Sequence, residues 1–437
     1  MEDVIAFITG RDPQSEVSGG HSSYARAHAR AAARAGYIPH IFCAGRVSDV
    51  RETDFGIIHR IASPLRPFRQ LMVMGHARII AAEVTRFLMA TTGTHLIHSF
   101  GAWGYAGVIA AERLRSNGRR AVAVLNSYTT YHDELHAKIK SLAPSHGSVA
   151  RIRYNAEHLW ARWLVERCER EAYLQSRLVI VNYESVTRLI RARHGPGVRI
   201  VKLPYTCESA FLREPPSLQG GGRLYEAPAS VVAADNSLSI VTVARHEPNK
   251  GIHILLAALA ELRRAGIKFT ACMVGAGPLL ESHRRLADKL QLKDVVTMVG
   301  AVADVSPYLL SANVFVLPSL AEGSGSLALI EAMQAGLPIV ASGVDGILED
   351  LTDGENALLV RPGSFLELSS AIGRLAIESS LGRRLGTAAR QRFVERFSAE
   401  AFSRSLGDLY STLRREAVDD ITAISGGATG LAQQSRT

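Results

Sequence analysis

Two basic side chains follow a short apolar run in the second half of the chain. The run SIVTVA leads directly into Arg245, and HEPNKG then brings Lys250 to the start of a predicted helix. In an open α/β sheet, ligands bind at the carboxyl ends of the strands, and both helix N-termini and paired cations favour phosphate oxygens. The pattern therefore predicts a phosphate or diphosphate site. An exposed Arg and a first-turn Lys, each paired with an acid, would leave the same pattern.

Two glutamates flank a Gly/Ser-rich turn further along the chain, in LPSLAEGSGSLALIEAMQAG. Glu322 lies on the loop after a predicted strand, and Glu331 lies inside the helix that follows. A helix start has unsatisfied N–H groups, and acidic side chains accept hydrogen bonds from hydroxyls such as those of ribose. The backbone groups that we expect to face a ligand are those of Gly323, Ser324, Gly325, Ser326 and Leu327. An acidic helix start with only a structural role is the alternative.

The first half of the chain carries weaker signals. Gly19 and Gly20 end the loop after the first predicted strand, where glycine lets the backbone approach a phosphate. His98 ends another predicted strand, which places it at the same kind of edge. The commoner interpretations are a plain turn for the glycines and a structural role for the histidine. The run GAGPLL begins like the GxGxxG fingerprint but ends in Leu280, so a dehydrogenase is set aside.

Short apolar runs alternate with amphipathic helical segments through most of the chain, from Val4–Ile8 to Pro338–Ala341. This βαβ alternation is typical of a parallel sheet covered by helices on both faces. The predicted fold class is therefore α/β, with two doubly wound Rossmann-like parallel-sheet domains facing a central cleft.

The predicted domain boundaries follow changes in composition. Residues 214–236 are dense in Pro, Gly and Ser, as in a flexible loop at a domain junction. We predict one Rossmann-like domain over residues 1–205 and a second over 206–393. A helix over 394–418, with Ser398 as its N-cap, would close the chain, and a small polar tail over 419–437 would be disordered.

The composition is that of an ordinary globular protein. The chain has 437 residues, of which 47% are hydrophobic and 21% charged, and its formal charge is +9. The four cysteines lie far apart in the sequence, which favours reduced thiols in a cytosolic protein over a zinc site or disulfides. We find no signal peptide and no apolar stretch of the roughly 20 residues that span a bilayer. We therefore expect a cytoplasmic protein.

Six segments occur in an order and spacing that resemble a known family. They are VARHEPNKG, MVGAGPL, MVGAVADV, VFVLPSLAEGSGSLALIEAMQAGLPIVAS, VDGILEDL and DGENALLVRPG. Each is weak alone, but together they are highly specific. The chain resembles the family 4 glycosyltransferases, retaining enzymes of the GT-B fold, over nearly all of its length to about residue 415.

The resemblance implies a role for each of the charged positions. Arg245 and Lys250 match the pair that holds the donor diphosphate, and Glu322 matches the acid that meets the transferred sugar. Glu331 matches the acid that binds the ribose hydroxyls. Members of this fold work without a bound metal or other cofactor, because the basic pair and the helix start take its place.

Further positions match residues around the donor and the acceptor. Gly19 and Gly20 match the first-domain loop that closes on the diphosphate, Val302 matches a position beside the nucleotide base, and His98 matches a histidine near the sugar and acceptor. The backbone of residues 323–327 would hold sugar and phosphate oxygens. The resemblance also implies that the first domain is on the acceptor side, that the second holds the donor, and that the closing helix returns to the first domain.

The chain departs from the family at three places. Eight residues separate Glu322 from Glu331, where family members usually have seven, so the loop must bulge by one residue. A second first-domain histidine of the family is replaced here by Asn126-Ser127-Tyr128, and a common Asn-Gly at the hinge by Tyr205-Thr206. The last two departures lie toward the acceptor side and leave the acceptor open between a glycan, a lipid-linked molecule and a small molecule.

The resemblance implies transfer of a sugar from a nucleotide-sugar to an acceptor hydroxyl with retained configuration, the leaving phosphate taking the acceptor proton. An epimerase or hydrolase on the same fold, and a non-catalytic nucleotide or glycan binder, are the alternatives.

Basic residues are scattered, which argues against a nucleic-acid partner. Residues 150–170 are basic and contain Trp160 and Trp163, a pattern that fits peripheral membrane contact or, as we favour, a buried helix with a basic outer face.

Overall fold

A computed structural model describes residues 3–10, 12–14, 20–62, 73–142, 148–207, 237–322 and 324–434. Two mainly parallel sheets organise these residues. The first sheet contains β1 (Asp3–Thr9), β2 (Tyr37–Gly45), β3 (Asp49–Thr53), β4 (Gly56–Ala62), β5 (Thr94–Phe100), β6 (Arg120–Ser127), β7 (Leu178–Val181) and β8 (Ile200–Lys202). The second contains β9 (Leu238–Val243), β10 (Phe269–Val274), β11 (Val296–Gly300), β12 (Val314–Leu317), β13 (Ile339–Ser342) and β14 (Leu358–Val360).

Helices connect most of the strands. Those of the first domain are α1 (Gly20–Arg34), α2 (Val73–Met89), α3 (Gly104–Ser116), α4 (Tyr131–Lys140), α5 (Ser148–Gln175) and α6 (Glu184–His194). Those that follow are α7 (Ile252–Arg264), α8 (Leu280–Lys289), α9 (Ser306–Ser311), α10 (Leu327–Gln334), α11 (Ile347–Asp350), α12 (Phe365–Ile377), α13 (Ser379–Phe397) and α14 (Ala399–Gln434). In the part of the chain that the structure describes, no helix is both long and apolar enough to cross a membrane.

The order of the strands places the edge where a ligand can bind. The first sheet runs β3-β4-β2-β1-β5-β6-β7-β8 and the second runs β11-β10-β9-β12-β13-β14. Apart from the antiparallel β3–β4 pair, the strand pairs are parallel. Each sheet reverses its winding once, between β1 and β5 and between β9 and β12. These are the topological switch points, where doubly wound sheets open a crevice at the carboxyl ends of the strands.

The central strands are buried on both faces. Ile5, Ala6, Phe7 and Ile8 of β1 are all fully buried, although neighbouring side chains point to opposite faces of the sheet. This happens only when helices cover both faces, as in parallel α/β sheets. The α/β class with two doubly wound domains, expected from the sequence, is confirmed.

Several elements differ from the sequence-based expectation. The β3–β4 hairpin and β14 were not predicted: β3 is a short edge strand of mainly polar residues, and β14 is an edge strand of only three residues. Ser398 does cap the closing helix, accepting a hydrogen bond from the Ala401 N–H at 3.3 Å. That helix continues to Gln434, however, where the sequence suggested a disordered tail from residue 419. The tail contains no proline to end a helix once the preceding turns have formed.

Helix α14 joins the end of the chain to the first sheet. It follows the second domain in sequence, yet it packs against α1 and against β5 and β6. Tyr410 and Leu413 of this helix are buried there. The Pro/Gly-rich segment 214–236 and Gly19 lie outside the described residues.

Candidate functional site

The loops after β9 and β12 are held together by backbone contacts. Because these two strands are neighbours, their carboxyl ends meet at the switch point of the second sheet. The Leu320 N–H donates to the Asn249 carbonyl at 2.7 Å, and the Asn249 side-chain amide donates to the Ala321 carbonyl at 3.0 Å. Gly251 adopts φ 65°, and a Cβ there would lie 1.9 Å from the Pro318 carbonyl oxygen. Only glycine fits at this crossing, so the geometry of both loops depends on it.

Lys250 and Glu322 form a buried ion pair across these loops. The Lys250 ammonium donates to Glu322 Oε2 at 2.5 Å, and the Ser319 hydroxyl donates to Oε1 of the same carboxylate at 2.5 Å. The side chains are 16% and 2% exposed. Taking two charges out of water is costly unless they are paired and hydrogen-bonded, as they are here. The structure therefore brings together two residues that are 72 positions apart and that the sequence had assigned to one site.

Asp345 fixes the backbone of Glu322 and was not identified from the sequence. Its Oδ2 accepts a hydrogen bond from the Glu322 N–H at 2.7 Å. Its own backbone has φ 43°, in the left-handed region that costs a non-glycine residue conformational energy. Strained positions of this kind occur preferentially at functional sites. Asp tolerates this conformation better than most residues, so the VDG sequence was the available signal.

The Gly/Ser loop and the start of α10 complete one wall of the site. Ser326 is the N-cap of α10, and its hydroxyl accepts from the Leu329 N–H at 3.4 Å. Ser324 and Ser326 are buried. Gly325 packs so closely on the first domain that a Cβ would lie 2.1 Å from the Tyr183 hydroxyl. Gly323, the first residue of the GSGS stretch in which the extra loop residue was predicted, is outside the described residues.

Tyr24 on α1 belongs to a cluster of buried tyrosines in the first domain. Burial chiefly, with smaller contributions from the carboxylates of Glu322 and Glu331, raises the pKa of Tyr24 above its ordinary range. Its ring stacks on Tyr128 at 4.0 Å between centroids and meets the edge of Tyr205 at 4.9 Å. Sequence reasoning missed Tyr24, although it lies one turn into the helix that begins at Gly20.

A second interdomain contact surrounds Tyr183. Its hydroxyl donates to Asp350 of α11 and lies 3.3 Å from the Tyr205 hydroxyl. Asp350 is buried and also lies 3.4 Å from Arg396. Burial raises the pKa of Asp350 to about 7, although the hydrogen bond from Tyr183 and the charge of Arg396 oppose the rise.

Arg245 takes part in a ring of four charges, made with Glu134, Lys138 and Glu247, that joins the two domains. Its guanidinium lies 3.2 Å from Glu134 of α4 and 2.7 Å from Glu247. The Lys138 ammonium lies 2.8 Å from Glu134 and 2.9 Å from Glu247. Burial lowers the pKa of Lys138, but the two carboxylates outweigh burial and raise it. Arg245 is 55% exposed, so its guanidinium is accessible from the solvent as well.

His98, which the resemblance matched to a histidine near the sugar and acceptor, lies in the interior of the first domain beside α14. The side chain is fully buried, and its Nδ1 is hydrogen-bonded to the Tyr410 hydroxyl at 2.6 Å. It packs against the rings of Phe7 and His28. The physical reason is that α14 returns over the carboxyl end of β5, which strand-end position alone could not reveal. The histidine ties α14 to the first sheet.

The other predicted residues lie on separate elements of the two domains. Glu331 lies on α10 and is half-buried. Val302 follows β11 at the same edge of the sheet, half-buried, but β10 separates β11 from β9. Gly20 begins α1, after the undescribed Gly19. Asn126, in the Asn126-Ser127-Tyr128 stretch where the resemblance implied a second histidine, is buried, and its side-chain oxygen is 3.1 Å from His28 Nε2.

Part of the chain is similar in sequence to known proteins. Residues 237–378 match the family model described as "Glycosyl transferases group 1". Among curated proteins, the chain is 27% identical over 226 residues to a GDP-mannose-dependent alpha-(1-6)-phosphatidylinositol monomannoside mannosyltransferase of Mycobacterium tuberculosis, a match covering 49% of this chain and 56% of that one. The chain thus spans about half the length of the curated relatives it matches.

Solved structures match nearly the whole chain. The sucrose-phosphate synthase of Thermosynechococcus elongatus superposes with a TM-score of 0.70 at 24% identity, covering 94% of this chain and 99% of that one. Anabaena Alr3699/HepE in complex with UDP-glucose superposes with a TM-score of 0.63 at 17% identity, covering 94% and 99%. The fold is GT-B, with two Rossmann-like domains.

Proposed function

We propose that this protein is a glycosyltransferase that moves a sugar from a nucleotide-sugar to an acceptor hydroxyl, in the biosynthesis of a glycan, glycolipid or glycoside. The observation that carries the proposal is the Lys250–Glu322 pair beside the start of α10, at the switch point of the second sheet. The family match over residues 237–378 covers the same elements. A structural neighbour that holds UDP-glucose supports a nucleotide-sugar as the donor.

Each charged residue has a role that follows from its position. Arg245 and Lys250 stabilise the negative charge that builds on the diphosphate as it leaves, and the free N–H groups at the start of α10 add to this. Glu322 lies against Lys250, and the resemblance supports a role for it in meeting the transferred sugar. Glu331, about one turn into α10, accepts hydrogen bonds from the ribose hydroxyls in this proposal.

We place the reaction among the retaining transfers. The acceptor hydroxyl attacks from the face that the diphosphate leaves, and the leaving phosphate takes its proton. Two cations and a helix start supply the stabilisation that a metal ion gives in other transferases, so we propose transfer without a metal or other cofactor. The family resemblance of the ordered segments from VARHEPNKG to DGENALLVRPG supports both statements.

The acceptor binds against the first domain in this proposal. The family resemblance, which assigns the acceptor side to the first domain, supports this placement. A peripheral contact with a membrane, which would deliver a lipid-linked acceptor, is part of the proposal.

A thermal-shift screen against UDP, GDP, ADP and their sugar conjugates tests the proposal, because a ligand that binds only the folded state raises Tm. We expect a shift with one nucleotide class, lost in Lys250→Ala and Glu331→Ala. Lys289→Ala, at the exposed C-terminal end of α8, is the matched control and keeps the shift. With the donor known, transfer to candidate acceptors and the anomeric configuration of the product by NMR test retention. No shift with any nucleotide would overturn the proposal.

A further inference from the structure

The outer face of α5 exposes large apolar side chains. Ile152, Leu159 and Trp163 are 68%, 62% and 77% exposed. Their spacing of seven and four residues places them on one side of the helix over about three turns. Single exposed apolar residues are common on protein surfaces, but an aligned set with a tryptophan marks an interaction surface. We call these three residues the α5 stripe.

The opposite face of α5 already has its partners within the fold. Tyr154, Val165 and Cys168 are buried there. At the N-terminal half, Tyr154 packs with Leu135 of α4 in a small separate cluster. The helix therefore does not need the stripe for its own folding. This differs from the sequence-based preference for a helix whose apolar residues are all buried.

The exposed charges around the stripe are mainly basic. Among the α5 side chains that the structure describes, the exposed arginines are Arg151, Arg162, Arg167 and Arg170. Glu166 lies one turn from Trp163, and its carboxylate already contacts His132 at 2.5 Å and Arg193 at 3.3 Å. Arg167 lies 3.7 Å from Glu171, a long contact that leaves most of its charge available.

An apolar stripe flanked by arginines fits one class of partner better than others. Helices that lie in the headgroup region of a bilayer bury an apolar face and keep basic residues against anionic lipids. Tryptophan prefers this region, and each basic residue near an anionic surface strengthens the attraction to it. A protein partner would not require the arginine flanks.

We propose that the α5 stripe and its arginines rest on the surface of an anionic lipid bilayer. Helix α4, which packs against α5, carries Glu134 and Lys138 of the interdomain charge ring. The bilayer would therefore lie one helix layer from Arg245. This placement suits an acceptor anchored in lipid, a consequence that rests on the proposed function, whereas the surface itself does not.

Co-sedimentation of the full chain with vesicles tests the surface. We expect binding to phosphatidylcholine vesicles that contain phosphatidylglycerol, weaker binding to pure phosphatidylcholine, and weakening as salt screens the arginines. The double variant L159S/W163S should bind at least about tenfold more weakly, because both apolar side chains lose their contact with lipid. The matched control is L366S/I377S on α12, whose side chains are 61% and 80% exposed; it should bind like the wild type.

Fluorescence identifies which residue enters the lipid. Brominated phosphatidylglycerol should quench the tryptophan emission of the wild type, and Trp163→Phe should keep vesicle binding but lose most of the quenching. Vesicle binding that survives in L159S/W163S would overturn the proposal. A concentration-dependent dimer that the same variant abolishes, without vesicle binding, would assign the stripe to self-association and also overturn it.

The nucleotide thermal shift, measured without vesicles, separates this proposal from the transferase. Loss of vesicle binding with an intact nucleotide shift would contradict only the proposed membrane surface. Vesicle binding without any nucleotide shift would support the membrane surface and contradict the proposed transferase activity. L159S/W163S must keep the nucleotide shift of the wild type, which also shows that the variant is folded.

Discussion

Lys138 of the first domain lies 2.9 Å from Glu247 of the second, and both side chains are almost fully buried. Glu134 and Arg245 complete the ring of charges. Arg245, the cation proposed to hold the donor diphosphate, is therefore engaged by two carboxylates in this structure. An entering diphosphate must compete with these carboxylates, so the ring connects donor binding to the contact between the domains.

Removing one competitor should tighten nucleotide binding. Glu134→Gln keeps the shape of the side chain but removes the charge that Arg245 faces at 3.2 Å. We expect nucleotide affinity to rise by roughly two- to five-fold at low salt, because the interaction free energy of a partly exposed charge pair corresponds to a change of that size. Titration calorimetry measures the change. Glu112→Gln, on an exposed position of α3, is the control, and an affinity that stays the same or falls in Glu134→Gln would contradict the role of the ring.

Because the Lys250–Glu322 pair is buried, removing one partner should change the free energy of unfolding by a different amount from removing the other. A double-mutant cycle tests this. Lys250→Met leaves a carboxylate that is 2% exposed without its cation, and we expect a loss of about 3 kcal/mol in the free energy of unfolding. Glu322→Gln keeps hydrogen-bonding atoms and should cost less. The double variant should be more stable than Lys250→Met alone, because no unpaired buried charge remains. Urea unfolding measures all three, and simple additivity would contradict a buried pair.

Gly251 should be intolerant of even a methyl group. Gly251→Ala must adopt φ 65° and also place Cβ 1.9 Å from the Pro318 carbonyl oxygen. Gly266→Ala has a similar φ of 76° but meets nothing within 4 Å, so it isolates the cost of the backbone conformation. We expect about 1–2 kcal/mol for Gly266→Ala and roughly 3 kcal/mol or more for Gly251→Ala, with nucleotide binding lost only in the latter. Equal costs would mean that the crossing of the two loops is not tight.

The raised pKa of Asp350 predicts a pH dependence of stability. Its pKa is about 7 in the folded protein and 3.8 ordinarily, so folding favours the protonated form. The stabilisation is present below about pH 4 and is lost as the pH rises to about 7. Glu169, whose pKa burial raises to about 7, contributes in the same window. Asp350→Asn should therefore reduce, without abolishing, the fall in stability from pH 5 to pH 8, measured by urea unfolding. An unchanged fall would contradict the assignment.

The sequence could predict that Arg245, Lys250 and Glu322 lie at one edge of a sheet, because strand ends are local features. Arg245 and Lys250 follow β9, and Glu322 follows β12, so parallel pairing alone brings them to one edge. Contacts between distant segments were not accessible in this way. Burial of His98 depends on Tyr410, which lies 312 positions away. Asp345 is defined by one backbone angle and one hydrogen bond, for which hydrophobic periodicity gives no signal.

Interdomain contacts were missed for the same reason. Glu134 and Lys138 lie four residues apart on α4, and in sequence they look like an ordinary helix ion pair. Tyr183 follows a strand of the first domain, yet its hydroxyl group meets Asp350 of the second. Only the relative placement of the domains reveals these contacts, and amphipathic patterns within each domain do not specify it.

Titration of nucleoside diphosphates into the wild type and Lys250→Met tests the central claim most directly. The account predicts that one of UDP, GDP and ADP binds the wild type, that Lys250→Met weakens this binding by at least about tenfold through loss of a charge-assisted hydrogen bond, and that the control Lys289→Met binds as the wild type does. Absence of binding by all three diphosphates, or equal binding by the wild type and Lys250→Met, would contradict a donor site at the Lys250–Glu322 pair.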